Sequence, residues 1–355
     1  MRRSTVLEFA TCCWVMPMAV LVGLLSTFTK EAYGQKVDFH IQEQKQLVEV
    51  NINGTLFTAY RFPGELEKPV LYPLLTASGI PVTRGYPLEP RAGERVDHPH
   101  HVGMWFNFGD VNGLDFWNNS FAITEKEKPN YGRIRHQRTL QATGGNEGVL
   151  KVLSYWVDHR EQLLLKETTT FRFRGDGNLR IMDRTTELEA VVPVEFKDNK
   201  EGLLAIRMDR AFEEPVTEPE IFTDASGKPT TIASMNNEGV NGIYRSSTGL
   251  VGGAVWGHRA DWVSLTATKA GEEITVALFD HSGNFGYPAH WHARTYGLFS
   301  VNNIGSRVFN PTDPQQRFKL EKGKSVVFRH RLVIGPASAL SQKTLDNISQ
   351  DFRLN

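Results

Sequence analysis

Along the chain, apolar residues recur at every second position in short runs, and the runs are separated by Gly, Asn, Asp and Pro. Twelve such runs stand out, at residues 47–52, 56–62, 133–141, 149–157, 163–174, 179–188, 203–207, 249–256, 262–268, 274–279, 296–301 and 326–334. A period of two places one set of side chains on a buried face and the other on an opposite face, so each run predicts a β-strand. The pair 168–174 and 179–181, joined by Gly175-Asp176-Gly177-Asn178, reads as two long antiparallel strands around a turn. Only residues 339–352 show helical spacing, with Leu340, Leu345, Ile348 and Phe352 near one face and Ser338 as the expected cap.

No Pro-, Gly- or Ser-rich linker divides these runs and no repeat recurs at a fixed period, so the expectation is one all-β domain over residues 35–355. Its predicted form is a large two-sheet antiparallel β-sandwich with a short C-terminal helix. Two stretches, 86–130 and 209–245, are too long for hairpin loops and are rich in aromatic residues and histidine in part, which predicts a functional role for them.

Residues 1–34 read as a secretory signal peptide: Arg2 and Arg3 start it, an apolar run spans 12–27, and Ala32-Tyr33-Gly34 forms a small-x-small cleavage site before Gln35. The run contains Pro17 and Gly23 and falls short of the ~20 residues of a bilayer span, which favours removal over anchoring. The expected location is periplasmic or secreted, with no stable membrane insertion after cleavage. Both cysteines, Cys12 and Cys13, lie in this segment. A mature chain without thiols excludes disulfides, a cysteine nucleophile, iron–sulfur clusters and thiolate zinc sites. Forty basic residues balance forty acidic ones, and loss of Arg2, Arg3, Lys30, Glu8 and Glu31 leaves the charge near −1. Such a balance, with no basic stripe, predicts no nucleic-acid partner and points to a small ligand.

The candidate chemistry is concentrated in Asp97-His98-Pro99-His100-His101, with Trp105 and Trp117 close behind, and in a second cluster formed by Asp280-His281 and His290-Trp291-His292-Ala293-Arg294. A few convergent polar groups among aromatic walls are typical of a ligand pocket. If the segment is a strand, His98 and His100 share a face and His101 points away, and His290 and His292 repeat that spacing. Those four histidines can supply imidazoles to a divalent metal, with Asp97, Asp280 or Glu201 as a carboxylate ligand. The same residues can instead do acid–base work without a cofactor, because a histidine titrates near neutrality. Glu201 is then the leading carboxylate partner, at the opening of a strand in Lys200-Glu201-Gly202.

Arg207 and Arg294 can clamp a carboxylate or donate to sugar hydroxyls through the guanidinium fork, or be ordinary ion pairs. Trp117 and Trp291 adjoin the polar clusters and are expected to line the pocket, while Trp256 and Trp262 are expected to be structural. The nucleophile elbow, phosphate loop, dinucleotide fingerprint and His-Glu-x-x-His motifs are missing from the sequence. Residues Asp110-Val111-Asn112-Gly113-Leu114-Asp115 lack the length and terminal glutamate of a calcium loop.

Tyr72-Pro73-Leu74, Val82-Thr83-Arg84, the 97–101 cluster, Asn112 to Trp117, Lys200-Glu201-Gly202, Trp256 to Trp262, Asp280-His281 and His290 to Gly297 together resemble a DUF6807-type bacterial family of secreted proteins that carries the label methane oxygenase PmoA. The likeness covers nearly all of the chain after its leader. Methane oxygenation is not expected from it, because a particulate methane monooxygenase subunit is integral to the membrane and no spanning segment follows the leader here. The closing run Phe318 to Arg331 also resembles the end of galactose-mutarotase-like supersandwich domains. That resemblance implies a sugar on a concave sheet, with His98 or His101 as the acid and Glu201 as the base. It carries carbohydrate chemistry of lyase, epimerase or hydrolase type as the leading expectation. His281 and His292 are further candidate acid–base groups, and Asp97, Trp117, Arg207, Trp291 and Arg294 candidate saccharide contacts. Two alternatives stand beside it: a metal enzyme on His98, His100, His290 and His292, and a non-catalytic periplasmic sugar-binding module.

Overall fold

A computed structural model describes residues 35–217, 228–229, 237–314 and 317–354, all of which belong to one compact unit. The expected signal peptide and most of the segment between 218 and 236 lie outside the described residues. The strands run in chain order as β1 (Val37–Gln42), β2 (Leu47–Ile52), β3 (Thr55–Arg61), β4 (Val70–Leu74), β5 (Met104–Phe108), β6 (Arg133–Thr143), β7 (Gly148–Val157), β8 (Leu163–Asp176) and β9 (Leu179–Ala190). They continue as β10 (Val194–Lys197), β11 (Gly202–Arg207), β12 (Ile243–Ser246), β13 (Trp262–Lys269), β14 (Glu272–Asp280), β15 (His290–Arg294), β16 (Leu298–Asn302), β17 (Arg317–Leu320) and β18 (Ser325–Pro336).

Two eight-stranded sheets result, in the orders β1-β2-β3-β4-β5-β11-β16-β15 and β12-β13-β14-β18-β9-β8-β7-β6, with β10 and β17 as a separate pair. Neighbouring strands pair antiparallel in all three sheets. The all-β antiparallel sandwich is therefore the observed fold class. Alternation decides what faces what: Met104, Phe106, Leu204, Ile206, Phe299 and Val301 of the first sheet meet Val152, Trp156, Phe171, Leu278, Phe328 and Leu332 of the second in the main core. The expected β8–β9 hairpin forms, closing at Asp176 and Leu179 with Gly177 in the left-handed region at φ 55°.

Three departures from the sequence reading have local causes. Residues 249–256 form a 3-10 turn (Gly252–Val255) rather than a strand, with Gly252 and Gly257 at φ 63° and 73°, a conformation that interrupts the extended chain. The C-terminal helix α1 (Gln342–Leu354) starts later than expected, because the Ser341 hydroxyl, not that of Ser338, accepts from the Thr344 N–H. Strands β1, β4, β5, β10, β12, β15 and β17 were hidden inside apparently irregular sequence. β5 is buried along its whole length, so it shows no alternation of apolar and polar residues.

β5, β11 and β16 are buried on both faces. Their inward side chains join the main core, while Trp105, Ala205 and Leu298 join a second apolar cluster with Val70, Tyr72, Val102 and Trp117 on the opposite face. The long loops that fold over this outer face carry the candidate site. Helix α1 covers the outside of the other sheet, where Leu345 and Phe352 pack on Trp262, Phe279 and Val333 and the Trp262 Nε1–H donates to Asp346 at 3.0 Å. Among the described residues no helix is long and apolar enough to cross a membrane.

Candidate functional site

A cavity of ≈ 340 Å³ opens on the outer face of the first sheet, bounded by His98, His100, His101, Trp117, Asn118, Lys200, Glu201, His292, Arg294, Tyr296 and Leu298. Its floor comes from β15 and β16 and from the residues just before β11, and its wall comes from the histidine segment and the loop after β5.

The histidine segment is a tight turn, not a strand. The His101 N–H donates to the His98 carbonyl at 2.9 Å, and His98 sits in the left-handed region at φ 44°. Pro99 has no N–H to give to a ladder and suits a turn better than a strand. The consequence reverses the expected pairing: His98 stacks on His101 with ring centroids 4.8 Å apart and planes 3° from parallel, while His100 stands edge-on to both. Tyr296 continues the column on one side of His98 at 5.4 Å, and Trp105 continues it beyond His101 at 5.2 Å. A left-handed histidine costs roughly 1–3 kcal/mol, so something must hold the turn in place.

Arg84 does so. Its buried guanidinium donates to the carbonyls of Asp97, His98 and His101 at 2.9, 3.0 and 3.0 Å and to Asp97 Oδ1 at 2.8 Å. Arg207, fully buried on β11, donates to the same Asp97 oxygen at 3.0 Å and approaches His101 Nδ1 at 3.3 Å. A guanidinium has no acceptor, so His101 Nδ1 accepts and the neutral ring carries its proton on Nε2. Burial, His100, His98 and Arg207 all push the His101 pKa well below the usual value, in agreement with that tautomer. Burial works against the Asp97 carboxylate, but Arg207, His98 and Arg84 outweigh it and hold the carboxyl well below its ordinary range.

Asp97 thus serves the turn and not a ligand. Its second oxygen lies 3.1 Å from His98 Nδ1, which leaves Nε2 of this part-exposed ring for the cavity. Arg207 is likewise an internal ion pair, the second of the two roles open to it from sequence.

Glu201 lines the same cavity as His98, His101 and Tyr296. Burial raises its pKa, a hydrogen bond from Asn118 Nδ2 at 2.7 Å lowers it, and the charge of Asp115 raises it. The same Asn118 amide donates to Asp115 Oδ2 at 2.7 Å, so one side chain joins two carboxylates. Asp115 accepts the N–H groups of Trp117 and Asn118 on its other oxygen, and burial raises its pKa too. Behind it Lys68 is buried against the Trp105 ring at 5.6 Å, and burial lowers its pKa to about 7. His292 points into the cavity from β15, and burial with the charges of Arg294 and Lys200 lowers its pKa to about 3.

The structure separates several residues that the sequence grouped. Trp291 alternates with His292 on β15, so it faces the main core, fully buried, with its Nε1–H on the Ala260 carbonyl at 2.9 Å. His290 shares the face of His292 but is drawn aside, Nδ1 to the Gly257 carbonyl at 2.8 Å and Nε2 to Asp313 at 3.2 Å. The four-histidine metal set is therefore not assembled. Among the described residues no three His, Cys, Asp or Glu side chains are grouped to hold a metal ion. His281 is distant from the cavity lining: it packs edge-on to Phe352 of α1 at 5.1 Å and accepts the Gly283 N–H. Trp256 is half-buried rather than core, and Trp262 is core.

Conversely, Asn118, Tyr296, Arg84 and Lys68 were not singled out from sequence as site residues. For Asn118 the available signal was Asp115 three residues earlier, an Asx-turn pattern. For the other three, no pattern distinguishes a buried polar residue from a surface one.

The sequence matches the profile of a family described as a family of unknown function, DUF6807, over residues 47–349. The chain belongs to this family. No curated protein matches it. Among solved structures, similarity extends to the α-galactosidase AgaB of glycoside hydrolase family 36 from Geobacillus stearothermophilus, at 9% identity and a TM-score of 0.39 over 84% of this chain and 40% of that one. The Slr1438 protein from Synechocystis is similar at 8% identity and a TM-score of 0.32, over 84% of this chain and 96% of that one. A polysaccharide lyase, BACCELL_00875, is similar at 10% identity and 0.30, over 85% and 32%. The chain spans about two fifths of the length of the galactosidase it matches.

Proposed function

We propose that the chain is a carbohydrate-active enzyme that moves a proton between the cavity and a sugar or sugar derivative, with Glu201 as base and His98 as acid, and that it acts after export. The observation that carries this reading is the placing of a carboxylate and an imidazole in the lining of one cavity. Glu201 is a carboxylate whose pKa is raised by burial and held in place by Asn118, and His98 is a part-exposed imidazole set by the Asp97 carboxylate. Groups placed this way can take a proton at one point of a ligand and return one at another. The cavity is at the lower end of the ~300–1,000 Å³ of ligand pockets and is walled by aromatic rings, which suits a sugar better than a charged polymer. His101, neutral with its proton on Nε2, supplies a hydrogen-bond donor to the ligand. The leader-like residues 1–34 support export.

The test is incubation of the full chain with a panel of neutral and acidic saccharides in deuterated water, followed by proton NMR. The expected result is ring C–H exchange or conversion of one class of sugar, lost in both Glu201→Gln and His98→Ala at unchanged melting temperature. Conversion that survives both substitutions, or a panel left entirely unchanged, overturns the reading. A sugar that raises the melting temperature without being altered assigns the chain to binding alone.

A further inference from the structure

Two cations border the cavity, and one of them, Lys200, adjoins Glu201 in the chain and lowers its pKa. Lys200 and Arg294 are both exposed, both line the cavity and both act electrostatically on His292, which puts them on the same side of the site. Among the described residues neither forms an ion pair. Arg294 is held instead by aromatic rings, its guanidinium carbon 5.8 Å from the Tyr296 centroid and 6.0 Å from that of Trp256. Stacking engages the faces of a guanidinium and leaves its N–H edge unpaired.

The surroundings sharpen the contrast. Arg91 is paired with Glu94 and Asp209, and Arg95 with Glu213. Arg84 and Arg207 share the Asp97 carboxylate, and the charges of Glu94 and Glu213 act on Arg84 and Arg207 respectively. Glu201 is the one carboxylate among the residues bounding the cavity. The lining therefore carries two cations, Lys200 and Arg294, against the single carboxylate of Glu201.

We infer that the ligand is a sugar acid, a saccharide whose carboxylate is bound by Lys200 and Arg294. The inference rests on the acid–base reading of the cavity and names its substrate class. The planar fork of Arg294 matches the two oxygens of a carboxylate, and the ammonium of Lys200 adds a point charge. Phosphate and sulfate esters would also satisfy those cations, but only a carboxylate attached to the ring acidifies the neighbouring C–H bond. That bond is the one a carboxylate base such as Glu201 is suited to open.

The experiment is calorimetric titration of the full chain with glucuronate and galacturonate, their neutral parents glucose and galactose, and glucose 6-phosphate and 6-sulfate, at low and high salt. A uronate should bind at least about tenfold more tightly than its neutral parent, as expected for a charge-assisted pair, and the advantage should shrink with salt. Arg294→Ala and Lys200→Ala should each reduce that advantage and leave neutral-sugar binding and the melting temperature as they were. Arg294→Lys should fall between. Equal affinity for the neutral parent, tighter binding of the phosphate or sulfate, uronate binding indifferent to both substitutions, or no binding at all each overturns the inference. Failure of the acid–base reading has a different signature: Glu201→Gln and His98→Ala keep turnover while uronate affinity still depends on Arg294.

Discussion

Asn118 joins Glu201 to Asp115, its single side-chain amide lying 2.7 Å from an oxygen of each. Two carboxylates near one another would repel, and the amide between them donates to both, so it sets how readily Glu201 ionises. Asn118→Ala removes the hydrogen bond that lowers the Glu201 pKa and leaves the Asp115 charge that raises it. The acid limb of the pH–activity profile should move upward, because a hydrogen bond that favours the charged form is lost. An unchanged acid limb would show that Glu201 does not titrate in the observed step.

Asp97 is the common anchor of Arg84, Arg207 and His98, and its replacement strands two buried guanidiniums. Asp97→Asn should lower stability by roughly 3–5 kcal/mol, the range for breaking one side of a buried pair, as read by urea unfolding at neutral pH. The folded carboxyl titrates well below its ordinary value of 3.8. Its contribution is therefore complete above that value and is lost as the pH falls below it, so wild type and variant should converge in stability toward strong acid.

Lys68 has the opposite sign. Its folded pKa is about 7 against an ordinary 10.5, so below about 7 the protein carries a buried ammonium at a cost. Between those values the unfolded chain holds a proton that the folded one has released, and stability rises with pH across the window. Lys68→Met should stabilise the fold most below pH 7, by on the order of 3–5 kcal/mol, and hardly at all above pH 10.5. Unfolding curves at pH 6 and pH 10 that shift equally would contradict this.

His281 and His292 differ in place though both were candidates for the same role. His281→Ala removes a ring packed on Phe352 and should cost the fold modestly, on the order of 1 kcal/mol, without touching saccharide affinity. His292→Ala opens the cavity floor and should weaken binding by several-fold or more. Titration of both variants with the same sugar separates them, and equal losses would place the ligand elsewhere.

The antiparallel β architecture, most strands of the second sheet and the segment that walls the cavity were legible in the chain alone. That legibility has one cause. β7, β8 and β9 are covered on one side, so the pleat writes an alternating pattern into the sequence. The same rule, applied to His290-Trp291-His292, put the tryptophan and the histidines on opposite faces once the strand was known, and the core claimed the tryptophan.

Tertiary structure alone decided which residues meet. β5 and β11 are buried on both faces because loops fold over the sheet, so their outward positions look like core in the sequence. Residues 101 and 207 are brought into contact by strands and loops far apart in the chain, as are 118 and 201. Whether a histidine joins a site also turned on competition from partners that no spacing reveals: Asp313 and the Gly257 carbonyl hold His290 aside, and Arg84 gathers the 97–101 turn by its carbonyls. Local sequence encodes the face a side chain takes, through strand periodicity. The neighbours it finds there depend on how distant segments pack, and that is decided by the burial of the whole fold.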